Sequence, residues 1–276
     1  MPDTILLRAH GGESSPPTVW LLPPPYDGLP EPFVNPTGKR EGRLKRGALL
    51  VIRPPPGAGW STVAGEADRW LSELPATPVV LWLDQLEREQ HMEVYARARA
   101  TGIRACVTAP AFTRSALRVQ LSDPALLAPA LPLWVGRRGK DLDLATKERL
   151  ADLALRVAEH RTFGELMLAR GDSTSSWYRG FRRCAIAPPG AWFHVVRIIC
   201  IGLEIQRAPR IRIDVFVERF GFYDQAHLRH RCWEVLGAPI AQVRNDLGWE
   251  WMLHAACARS GLLRARPRDQ APRRPS

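Results

Sequence analysis

Between Asp224 and Leu236 the polar residues Gln225, His227, Arg229 and His230 interleave with Leu228, Cys232, Val235 and Leu236. That is helical spacing, and it turns the apolar set inward and leaves the polar set outside. A Gln amide can donate to and accept from an adenine edge, and an Arg guanidinium can donate twice to a guanine edge. Upstream, Trp177 and Phe181 leave Ser175, Tyr178, Arg179, Arg182 and Arg183 outside in the same way. Arg244 and the arginines of the tail add cations suited to phosphate oxygens. The available chemistry is hydrogen bonding to base edges and charge pairing with phosphates, with no bond made or broken.

Other arrangements carry less. Gly57-Ala58-Gly59-Trp60-Ser61-Thr62 follows a strand-like run, but lacks the lysine and the spacing of a phosphate loop. Gly171-Asp172-Ser173 has no strand before it, as a hydrolase nucleophile requires, and reads as a helix cap. His227 and His230 share a helix face at metal-ligand spacing, without a recognisable third ligand. Asp84, Glu87 and Glu89 suit the start of a solvated helix. The cysteines Cys106, Cys184, Cys200, Cys232 and Cys257 stand singly, as reduced thiols do, and not as a disulfide framework or zinc site. No enzyme, metal or cofactor is expected.

The elements that hold these side chains divide the chain. Residues 1–46 are rich in Pro and Gly, with Thr4–Arg8 and Thr18–Leu22 as possible strands. Over 47–135 apolar strands alternate with helices: strands at Ala48–Arg53, Pro78–Leu83 and Ile103–Val107, helices at Trp60–Leu74, Gln85–Ala100, Phe112–Leu121 and Pro124–Leu131. That alternation predicts a small parallel α/β sheet. Residues 136–146, containing Gly136-Arg137-Arg138-Gly139-Lys140-Asp141, read as a linker. Over 147–258 helices alone follow: Lys147–His160, Thr162–Arg170, Thr174–Cys184, Pro189–Gln206, Ile213–Phe220, Gln225–Leu236, Ile240–Leu247 and Leu247–Ala258. Residues 259–276 are a basic, Pro-rich tail expected to be disordered.

Within the helical half, two helix–break–helix units flank one long helix. In the second unit Ile213, Phe216, Val217 and Phe220 form a stripe, Gly221 permits the turn and Asp224 caps the next helix. In the first, Leu166, Leu168 and Ala169 pack, Gly171 turns and Ser173 caps. The joining helix carries Trp192, Val196, Ile199 and Leu203 along one side. From Pro189 to Gln206 it spans roughly 27 Å, near the roughly 34 Å between successive major grooves on one face of duplex DNA.

At these residues the sequence resembles the AraC/XylS family of bacterial transcription regulators, over about Lys147–Leu247. Gly221, Phe222, Asp224, Leu228, Gly237 and Arg244 meet the family's second motif; Ser173, Trp177, Arg179 and Phe181 meet the first; Pro189, Trp192, Phe193 and Arg197 meet the connecting helix. Met167 and Val217 stand where the family has small alanines, and Ala226, His230, Cys232 and Pro239-Ile240 also depart from it. Larger residues at a helix crossing push the helices apart. The resemblance implies a double helix-turn-helix reader of double-stranded DNA.

The stretch Leu49–Gly57 resembles the central strand and following loop of a two-component receiver domain, Pro78–Leu83 its next strand, and Ala98–Pro110 the segment bearing its switch lysine. Arg53, Leu83 and Ala109 occupy the three chemical positions, where phosphorylation needs a carboxylate, a hydroxyl and a lysine. The resemblance implies a flavodoxin-like pseudo-receiver that dimerises or docks without being phosphorylated.

Charge agrees with a polyanion partner. Of the net +11, +9 lies from Lys147 onward, where 22 Lys+Arg face 13 Asp+Glu. The cations are 35 Arg and 4 Lys, a skew that GC-rich coding also produces. Neither a secretory leader nor a run of 18 apolar residues is seen, which fits a cytoplasmic, non-membrane protein. The expectation is an α/β plus all-α transcription regulator. Its rival is an adaptor that uses the same helices for protein contacts.

Overall fold

The chain from Leu49 to Arg53 (β2) is apolar at four consecutive positions, and all four are buried. Such a run suits a strand covered on both faces. The computed structural model describes residues 17–26, 46–55, 60–83, 88–108 and 113–263. Among them β1 (Thr18–Leu22), β2, β3 (Val79–Leu83) and β4 (Ala105–Thr108) form one sheet in sequential order. Helices α1 (Trp60–Glu73) and α2 (Arg88–Ala100) make the crossovers that parallel neighbours require. Leu50 and Ile52 pack with Val63, Ala67 and Trp70 of α1 on one face; Leu49 and Val51 pack on the other with Leu117 and Leu121 of α3 (Arg114–Leu121).

The sheet departs from the expected all-parallel form at its edge. β1 runs antiparallel to β2, pairing Val19 with Ile52 and Leu21 with Leu50, and an antiparallel neighbour needs no crossover helix. Thr4–Arg8 lies outside the described residues.

From Arg114 onward the described residues form helices and the turns between them, with no strand. After α3 and a short 3-10 turn (Pro124–Leu126) come α4 (Leu127–Arg137), α5 (Leu144–Arg156), α6 (Phe163–Arg170), α7 (Thr174–Arg183), α8 (Pro189–Arg207), α9 (Ile213–Arg219), α10 (Gln225–Leu236), α11 (Ile240–Asn245) and α12 (Glu250–Ser260). Local chemistry sets the breaks. Asp143, Thr162 and Asp224 each accept a hydrogen bond from the backbone amide of the third residue of the following helix. Gly171 and Gly221 turn at φ of 67° and 62°, a left-handed conformation that costs glycine nothing.

Two packing expectations are corrected. Thirteen of the nineteen residues of α8 are buried, so it is the axis of the helical layer and not a rod with one apolar side. Leu168 is 85% exposed and Ala169 lies outside as well; Met167 takes the inner place beside Leu166, on the face that Phe163 begins.

The sheet and the helices share a polar seam. Tyr26 donates its hydroxyl proton to the Gly47 carbonyl at 2.7 Å, and the same oxygen accepts from the Leu247 amide at 2.8 Å. Gln206, at the end of α8, donates to the Asp246 carbonyl at 2.7 Å and accepts from Gly248 N at 3.0 Å and Ser122 Oγ at 3.2 Å. Arg104, just before β4, meets Glu250 at 2.7 Å, both almost wholly buried. Trp134 of α4 donates to the Pro75 carbonyl at 2.8 Å. The stretch read as a linker begins within the last turn of α4, and the apolar cluster of the helical layer starts at Leu127.

Candidate nucleic-acid interface

The first unit is built from α6, the Gly171 turn and α7. Thr162 accepts from the Glu165 amide at 3.2 Å while the Glu165 carboxylate accepts from the Arg161 amide at 2.7 Å, a reciprocal cap. Those backbone donors hold the Glu165 carboxyl below its ordinary value. Asp172 accepts from Arg170 at 2.7 Å and from the Trp177 indole at 3.1 Å, which holds its carboxyl low too and ties the turn to the core. Trp177 and Phe181 are fully buried and stacked at 6.1 Å. Ser173 makes no side-chain cap, against expectation. Ser176 supplies the local hydroxyl instead, donating to the Ser173 carbonyl at 3.0 Å and accepting from Arg149 at 3.1 Å.

With Trp177 and Phe181 inward, Ser175, Tyr178, Arg179, Arg182 and Arg183 are all exposed. Their availability differs. Arg183 meets Asp143 at 2.9 Å, and Asp143 is held below its ordinary pKa by hydrogen bonds from Thr146, with help from Arg183. Among the described residues the side chains of Arg179 and Arg182 have no ion-pair or hydrogen-bond partner.

The second unit is α9, the Gly221 turn and α10. Asp224 accepts from the His227 amide at 2.6 Å, and Leu228, Cys232, Val235 and Leu236 face inward. His227, Arg229 and His230 are exposed. Gln225 is half-buried and accepts from Arg229 at 3.0 Å, so these two are partnered with each other. His230 meets Glu234 at 3.1 Å. Arg244 donates to the Ile211 carbonyl at 3.3 Å. Arg229, His230 and Arg244 converge with Ile213, Trp233 and Ile240 on one groove of about 590 Å³. Trp233, 52% exposed, was not among the expected contacts; its position four residues after Arg229 and off the Leu228–Cys232 stripe is the signal that marks it.

The two units are tied across α8. Arg197 donates to the Arg161 carbonyl at 3.3 Å, at the start of the first unit, and to the Phe220 carbonyl, at the turn of the second. A side chain at Gly221 would come within 2.7 Å of Arg161 Nε, so the turn of one unit lies against the entry of the other. His194 of α8 contacts Arg231 of α10; burial first, then Arg231 and Arg197, push its pKa down to about 4.

Asp172 serves the Gly171 turn, Gly57–Gly59, Asp84 and Glu87 lie outside the described residues, and of Glu89 only the backbone is described. Burial raises the thiols of Cys106, Cys200, Cys232 and Cys257 to about 12, so they are thiols and not thiolate nucleophiles at neutral pH. Among the described residues no three His, Cys, Asp or Glu side chains gather as metal ligands, and no helix is long and apolar enough to cross a membrane. Arg53 ends β2 exposed and Leu83 ends β3 buried, while Ala109 lies outside the described residues. The chain matches no protein-family model, no curated protein and no solved structure.

Proposed function

We propose that the chain is a sequence-specific regulator of transcription of the AraC type, reading double-stranded DNA with α7 and α10. The observation that carries this reading is the outer face of α7. Arg179 and Arg182 stand exposed and unneutralised on a helix whose other side is anchored by Trp177 and Phe181. A guanidinium without a protein partner keeps its donors for base edges and phosphates. A second helix–turn–helix unit, tied to the first through Arg197, supplies Arg229, His227, His230 and the groove beside Arg244. The basic excess from Lys147 onward supplies long-range attraction. On this reading the sheet unit is a receiver-like body without a phosphoacceptor, available for dimerisation, in a cytoplasmic bacterial protein.

Selection of tight binders from random duplex DNA tests it. The expected result is an enriched motif with two half-sites about one helical turn, about 34 Å, apart. Recovery of duplexes with no shared motif refutes sequence-specific reading. A second reading, an adaptor that binds a protein partner, is favoured by the exposed apolar side chains Ile211, Val215 and Trp233 beside the second unit. Salt separates the two. A protein held by about six phosphates loses about 10³-fold in affinity between about 50 mM and 200 mM salt, and an apolar protein contact does not.

A further inference from the structure

Away from the candidate DNA-facing side chains, the loop after α1 meets the end of α10 and the outer side of α12 around a groove of about 570 Å³. That volume is the size of a small organic molecule. Its accessible apolar lining is Leu74, Pro75, Ala76, Ala255 and Ala258, with Leu236 and Trp251 buried beneath. Among the described residues its charged lining groups are Arg46, Arg259 and Glu73.

The two arginines are held in place. Arg46 donates to the Gly237 carbonyl at 3.2 Å and lies 5.6 Å over the Trp251 ring, and Arg259 donates to the Glu234 carbonyl at 2.9 Å. Each guanidinium therefore uses one nitrogen at the C-terminal end of α10, where cations complement the helix dipole, and keeps further N–H groups. His254 adds a polar wall; burial, with Arg138 nearby, pushes its pKa down, so it is a neutral donor and acceptor at pH 7.

We propose that this groove is a binding site for a small organic anion, with an apolar body against Leu74, Pro75 and Ala255 and a carboxylate-like head between Arg46 and Arg259. A preset guanidinium loses little freedom on meeting a carboxylate, and the apolar lining favours a ring or short aliphatic chain. The two guanidiniums favour a negatively charged head, since a cation is repelled by both and a neutral carbonyl forgoes the charge-assisted bond. Because the same arginines hold the end of α10, a bound anion acts on that helix without touching its outer face. The site stands on its own geometry and does not depend on the DNA reading.

The test uses the full chain without DNA. Benzoate, phenylacetate and hexanoate are titrated by calorimetry, with benzamide and benzylamine as neutral and cationic controls. Saturable millimolar or tighter binding of at least one anion is expected, with the controls at least about tenfold weaker, as for loss of a charge-assisted hydrogen bond. Arg259→Gln should weaken the anion by about tenfold, and Ala258→Trp, which fills the groove from an exposed position, should abolish binding. Circular dichroism confirms that both variants fold. No binding by any of the three anions, equal binding of benzamide, or binding unchanged in both variants would each overturn the assignment.

Discussion

Arg179 stands one turn before Arg183 on α7, yet only Arg183 has an acidic partner. On the proposed DNA reading, the difference predicts unequal roles. Arg179→Ala should cost about 1–3 kcal/mol on a selected duplex and much less on a scrambled one, because a base-edge contact is lost. Gel-shift titration on both duplexes decides it; equal losses would assign Arg179 to phosphate and not to base. The helix caps diverge in the same way. Asp224 accepts a backbone hydrogen bond and Ser173 accepts none, so Asp224→Ala should cost about 1 kcal/mol in urea unfolding while Ser173→Ala costs a small fraction of that. Helical spacing was enough to find that Arg179, Arg182, Arg183, His227, Arg229 and His230 face out, since Trp177, Phe181, Leu228 and Cys232 mark the inner faces, but not that Gln225 is half-buried. It could not find which of them are already engaged, because Asp143 lies 40 residues from Arg183 and only folding brings the two together.

Helix α8 shows what an element adds to its residues. His194 lies against Arg231 of α10, with Arg197 and Glu234 also nearby, and its pKa falls from 6.5 to about 4 chiefly through burial. The folded state therefore holds a neutral imidazole where the unfolded chain holds a proton below pH 6.5. Its contribution is fully present above about pH 6.5 and is lost as pH falls toward about 4. Urea midpoints of the native chain and of His194→Gln, compared over that range, should converge as pH falls; a constant difference would show that His194 does not titrate in the fold. The elements themselves were largely legible. Thr162, Asp224, Gly171, Gly221 and Pro189 are local signals, and they place the boundaries of α6 to α10 within a residue or two. The burial of α8 was less so. Its sequence is apolar nearly all round, as a fully surrounded helix requires, but reading only Trp192, Val196, Ile199 and Leu203 implied a single buried side. The direction of β1 was not legible either, because strand polarity depends on a partner distant in sequence.

At the scale of the whole molecule, the sheet and the helices meet over charged and polar groups that would be costly to leave unpaired. Arg104 and Glu250 are nearly fully buried at 2.7 Å, and the Arg104 guanidinium lies 5.0 Å over the Trp249 ring. Burial lowers the Arg104 pKa and raises that of Glu250, while their mutual attraction opposes both shifts. Removing one partner leaves the other charge stranded, so Glu250→Gln should destabilise the fold by about 3–5 kcal/mol. Replacing both, as Arg104→Met with Glu250→Leu, should recover most of that loss, because apolar side chains do without the ion pair. Urea unfolding of the two variants measures both effects. The same seam implies that sheet and helices open together. Amides of Leu50 and Val51 in β2 and of Val196 and Ile199 in α8 should then exchange hydrogen with one common free energy, and Glu250→Gln should lower it equally at all four. If the β2 amides lose protection while those of α8 keep theirs, the seam is a contact between independent bodies and not part of one cooperative unit.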